Sequence, residues 1–116
     1  MKLRLSAALG VMLGLVGCSG SGDASCSTTD ASCPTTTPSY ATDVAPVIDT
    51  YCAGCHVSGG QESELPFTSL AQVQAHASEI SREVSGCDMP PSDEDQPTDA
   101  ERQLLLDWIA CGAPDN

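Results

Sequence analysis

The sequence predicts an all-α domain, a small bundle of three main helices, preceded by an export signal and a flexible linker. Apolar residues recur at helical spacing in three separate stretches, glycine and proline punctuate the gaps, and no stretch alternates apolar with polar residues as a half-buried strand does. The chain has no internal repeat and no Gly-rich phosphate cradle.

The first helix is expected after Thr42 or Asp43, either of which is placed to cap it. Pro46 sits near its first turn, where a missing amide is tolerated, and Val44, Val47, Ile48 and Tyr51 share one face. Gly59 and Gly60 open a loop that runs through Pro66. A second helix spans about Ser69 to Val84, with Leu70, Val73, Ala77, Ile80 and Val84 aligned. The third begins at Thr98, where Thr98 and Glu101 match the capping box. It buries Leu104, Leu105, Trp108 and Ile109 before Gly112 and Pro114 stop it. All four aromatic side chains, Tyr40, Tyr51, Phe67 and Trp108, fall within residues 40–116, which supply the single core a chain of this size can hold.

Upstream, Lys2 and Arg4 precede an apolar run from Leu5 to Val16 broken only by small residues, the layout of an export signal. The run is too short to anchor stably in a bilayer core about 30 Å thick. Leu15-Val16-Gly17-Cys18 resembles the lipobox of bacterial lipoproteins, whose cysteine is lipidated and becomes the first mature residue. Residues 1–17 are therefore expected to be a lipoprotein signal peptide, with the exported product anchored to a membrane through Cys18 and facing the periplasm or the cell surface. Residues 18–39, rich in Ser and Thr, read as a flexible linker with an extended reach of about 70 Å.

Removing residues 1–17 takes away Lys2 and Arg4 but no acidic residue, so sixteen carboxylates face only Arg82 and Arg102, a net charge of −14. Such a chain repels nucleic acid, and it needs a tether to stay near an anionic membrane.

Cys52-Ala53-Gly54-Cys55-His56 spells C-x-x-C-H, the attachment motif of a c-type haem. On a helix these spacings place both sulfurs on one face, within reach of the two porphyrin vinyl groups, while the imidazole turns to the iron. Met89, followed by Pro90 and Pro91, is a loop methionine presented as the second axial ligand. His76 is the rival ligand, on the middle helix between Ala75 and Ala77. Of seven cysteines, one is lipidated, two hold haem, and the remaining four form two pairs, read as Cys26 with Cys33 and Cys87 with Cys111. The second bridge would pin the Met89 loop to the last helix. A porphyrin at the centre of the core also offsets the small apolar burial of so short a domain.

Tyr51 through His56, Met89-Pro90-Pro91 and Leu104-Leu105-Leu106-Asp107-Trp108-Ile109 together resemble a class I c-type cytochrome domain of the bacterial lipoprotein sort, over residues 40–116. The resemblance implies one covalent haem c, His56 as proximal and Met89 as distal ligand, and a last helix crossing the first. Pro66 would match the family's proline whose carbonyl steadies the proximal imidazole. The function implied is electron transfer rather than enzymatic turnover, because both axial positions are filled. Its partners would be redox proteins, with Asp93, Glu94, Asp95, Asp99 and Glu101 able to steer a basic docking surface.

Three other readings remain open. Without Met89 on the iron, an open distal site suits a gas sensor or a peroxidase-like protein. Without haem, Cys52 and Cys55 would be a thiol oxidoreductase pair. A structural zinc site would need Cys52, Cys55, His56 and a fourth ligand from His76 or the pair Cys87 and Cys111.

Overall fold

The computed structural model describes residues 26–116, so the signal peptide, Cys18 and the first part of the linker lie outside the described residues. Among the described residues the regular structure is entirely helical. A π-helical turn, Tyr40–Val44, leads into α1 (Ala45–Tyr51); α2 (Leu70–Ala75), α3 (Ala77–Ser85) and α4 (Asp99–Ala110) follow.

The first helix starts earlier than expected. Ser39, not Thr42 or Asp43, is the cap: its hydroxyl accepts from the Thr42 amide at 3.5 Å, while the Asp43 carboxylate accepts from the Ser39 amide at 2.8 Å. A polar residue four positions on thus serves as the reciprocal partner, in the manner of a capping box. Pro46 lies in the first turn of α1, and Val44, Val47 and Ile48 are buried as their spacing requires.

The expected second helix is two helices that meet at His76. Its φ of −114° and ψ of 15° leave the helical basin, and Ser69 caps α2 by accepting from the Gln72 amide. The apolar stripe survives the break, with Val73, Ile80 and Val84 in the core. Periodicity reports the face, and both pieces present the same one.

The third expected helix, α4, matches at its start. Thr98 and Glu101 form the full capping box, the Glu101 carboxylate accepting from the Thr98 amide at 2.9 Å and the Thr98 hydroxyl from the Glu101 amide at 3.2 Å. Its buried face is rotated from the expected one: Leu105, Leu106, Trp108 and Arg102 are buried, while Leu104 and Ile109 pack half-buried at the core edge. Trp108 is fully buried; its indole donates to the Pro114 carbonyl at 3.1 Å and its ring lies 5.4 Å from that of Tyr40. Gly112, at φ +93°, turns the chain back so that Ala113 enters the core.

Residues 26–39 correct two expectations. The cysteines pair as Cys26–Cys87 and Cys33–Cys111, not as Cys26 with Cys33 and Cys87 with Cys111. Between these bonds the backbone amides of Ser27, Thr29 and Ser32 donate to Asp99, Gln103 and Asp107, acceptors four residues apart along α4. This part of the expected linker is therefore a strap laid along the last helix. Cys111 caps the end of α4 and Cys87 lies near its start, and a 12-residue helix separates them by about 18 Å, beyond the reach of one disulfide.

Candidate functional site

The Cys52–His56 motif lies just past the C-terminal end of α1, as a turn rather than a further helical turn. Cys52 and Ala53 amides donate to the Ile48 carbonyl, and the Cys52 carbonyl accepts from Cys55 at 3.2 Å and from His56 at 3.0 Å. The turn brings the three chemically active residues onto one concave surface. Gly60 packs against the Cys55 carbonyl so closely that a Cβ there would collide with it, and the Glu62 amide donates to that carbonyl at 3.0 Å. Glycine is required at position 60 for this approach.

Cys52, Cys55, His56 and Met89 all line one cavity of about 400 Å³. Val47, Leu65, Phe67, Ile80, Val84 and Leu105 make much of its wall apolar, and Glu62, Glu79, Glu83, Glu94 and Asp95 also border it. Cys52 and Cys55 are the two free cysteines among the described residues, the other four being paired. Burial, and secondarily the neighbouring Cys55, pushes the Cys52 thiol up to about 11. That is the opposite of the lowered value a nucleophilic redox cysteine needs.

The His56 imidazole is held on two sides. Its Nδ1 lies 2.8 Å from the Leu65 carbonyl, and Phe67 stacks on the ring with centroids 4.4 Å apart. The Phe67 amide donates to the His56 carbonyl at 2.9 Å, closing the loop between them. With Nδ1 engaged as donor, Nε2 is left as the nitrogen with a free lone pair. The steadying carbonyl is that of Leu65, one residue before the expected Pro66, because the loop re-enters the core at Phe67 and turns the Leu65 carbonyl inward. Neither Leu65 nor Phe67 was read from the sequence as part of the site; apolar residues on either side of a proline look like ordinary core.

Met89 is half-buried and follows α3, the backbone N–H groups of Asp88 and Met89 donating hydrogen bonds to the Glu83 carbonyl at 2.9 and 3.2 Å; its peptide to Pro90 is cis. His76 does not line the cavity. Its Nδ1 pairs with Glu79 at 3.6 Å, and its ring sits 5.9 Å from that of Phe67. The fourth ligand that a zinc site would require is also missing: Cys87 and Cys111 are committed to disulfides, and no group of three or more His, Cys, Asp or Glu among the described residues is arranged to hold a metal ion.

Among the described residues no helix is long and apolar enough to cross a membrane. No family model, curated protein or solved structure matches the chain.

Proposed function

We propose that this chain is an electron carrier with one covalently attached haem c, exported and tethered to a membrane by a lipid on Cys18. The observation that carries the reading is the convergence of two free thiols, an imidazole with one nitrogen already engaged, and a loop thioether on a single, largely apolar cavity.

In this reading Cys52 and Cys55 would hold the haem through their sulfurs, and His56 Nε2 and Met89 Sδ would be the protein's ligands to its iron. The bound haem supplies a one-electron ferric/ferrous couple. Leu65 fixes the tautomer of His56 by accepting from Nδ1, and Phe67 fixes the plane of the ring. The apolar wall excludes water and favours the less charged, reduced state of the centre. Glu62, Glu79, Glu83, Glu94 and Asp95 give the rim a negative field suited to a basic redox partner.

The bond of Cys26 to Cys87 shortens the tether. Cys18 and Cys26 are eight residues apart, a span of at most about 28 Å in place of about 70 Å, so the carrier would work close to the membrane surface.

The test is a visible spectrum of the full chain produced in a host that exports proteins and attaches haem to them. A coloured product that keeps its haem under denaturing conditions, loses it in Cys52→Ser/Cys55→Ser, and shows a sulfur-to-iron band that Met89→Ala abolishes is the expected result. Colourless protein in which both Cys52 and Cys55 react with a thiol reagent would overturn it.

A further inference from the structure

Among the described residues Arg102 is the one charged side chain in the buried core, 1% exposed beside Leu105 and Leu106 on α4. It enters no ion pair among the described residues, although the chain carries sixteen carboxylates. Its acceptors are neutral. Nη1 donates to the carbonyls of Met89 at 3.2 Å and Val84 at 3.4 Å, and Nη2 to the Gln96 side-chain oxygen at 3.0 Å; Nε has no acceptor. The Gln96 amide in turn donates to the carbonyls of Pro91, Glu94 and Pro90, at 2.8, 3.1 and 3.2 Å.

Burying a guanidinium among carbonyls with one N–H unsatisfied is costly, and an apolar side chain of similar volume often replaces a buried charge at no loss. Core packing alone therefore does not account for Arg102. The loop it grips does. Residues 88–97 contain no helix, and Pro90 and Pro91 have no amide with which to join a backbone ladder. The Glu94 amide donates to the Pro91 carbonyl at 3.0 Å, and side chains supply the other donors, Arg102 to the carbonyl of Met89 and Gln96 to those of Pro90, Pro91 and Glu94.

We infer that Arg102, acting directly and through Gln96, is the positioning residue for Met89, clamping the methionine's backbone to α4 so that its sulfur stays directed to the cavity. The inference rests on the reading of Met89 as an iron ligand. The clamp ties one wall of the site to the helix that carries the core, so that release of the thioether requires breaking a network anchored on a buried guanidinium rather than swinging a loop.

The test compares wild type, Gln96→Ala, Arg102→Leu and Arg102→Lys as haem-loaded protein. Two measurements are made: the ferric sulfur-to-iron band across pH, and hydrogen exchange at the Asp88, Met89 and Glu94 amides. In Gln96→Ala and Arg102→Leu the band should vanish at a pH lower by about one unit. Exchange of those three amides should quicken about tenfold while that of Cys52, bonded to Ile48, stays unchanged. Arg102→Lys, which can still donate to the carbonyls, should restore part of both. If Arg102→Leu fails to fold, Gln96→Ala decides. A wild-type band that is present and unmoved in Gln96→Ala, with unchanged exchange, overturns the clamp alone; wild-type protein that holds haem without any sulfur band overturns the ligand reading and the clamp with it.

Discussion

The Tyr51 hydroxyl donates to the Glu101 carboxylate across 3.1 Å, joining the last residue of α1 to the capping box of α4. One carboxylate oxygen therefore serves the Thr98 amide, the Thr98 hydroxyl and the phenol together. The residue before Cys52 is thereby held to the first turn of the helix that backs the cavity.

These bonds, the Thr98 amide foremost, hold the Glu101 carboxyl below its ordinary range. A carboxyl depressed in the folded state adds stability that is present above its unfolded value and disappears as pH falls through the lower folded value. The melting temperature should accordingly drop as pH falls below about 4.5. Tyr51→Phe should lower it at neutral pH and flatten this acid dependence. Thermal melts of both proteins from pH 7 to 3 check it, and parallel curves would refute the link.

Digestion of unreduced protein followed by mass spectrometry should find Cys26 joined to Cys87 and Cys33 to Cys111. Each bond closes a long loop, with sequence separations of 61 and 78, worth about 4 kcal/mol on the chain-entropy model. Cys33→Ser/Cys111→Ser should lose stability of that order in urea titrations and free the strap's Ser32 amide for exchange. Fragments linking Cys87 to Cys111 would reject this arrangement.

Phe67 is 7% exposed and stacked on His56, so Phe67→Ala should cost about 3–5 kcal/mol in chemical denaturation. Phe67→Leu should cost less in stability, yet it would still free the imidazole plane. A broadened His56 ring resonance in the leucine variant is the signature to look for.

Gly60→Ala would drive a methyl group into the Cys55 carbonyl and force the turn between them to open. A loss of about 1–3 kcal/mol is expected and, on the proposed haem reading, a lower yield of haem-attached protein from an exporting host. Gly54→Ala, where an added Cβ meets nothing within 4 Å, is the control and should behave as wild type.

In protein to which no haem has been attached, the half-buried Cys52 thiol, pushed up to about 11 by desolvation, should be alkylated far more slowly at pH 8 than a free cysteine of ordinary acidity. Its rate should climb steadily with pH toward that value. Fast modification at pH 8 would revive the thiol-oxidoreductase reading.

Much of the site was legible because its chemistry is local. The spacing of Cys52, Cys55 and His56 is a property of five consecutive residues, and Met89 stands out because two prolines follow it. The capping box of Thr98 and Glu101 is likewise a three-residue interval. The disulfide partners were not legible, since four cysteines allow three pairings and spacing does not choose among them. Nor was Arg102: a lone arginine beside Leu104 and Leu105 reads as the solvent side of a helix, and its burial depends on carbonyls contributed by a loop thirteen residues away.

The amino-acid order alone determined where apolar faces occur, that they recur with a helical period, and which few side chains carry chemistry. Those features depend on neighbours within about a turn of helix. Tertiary structure alone decided that residues 26–39 lie along α4, that Leu65 and not Pro66 faces the imidazole, and that Arg102 grips Met89. Each of these matches a backbone donor or acceptor to a group distant in sequence, and such a pairing is settled only when packing brings the two within hydrogen-bond distance.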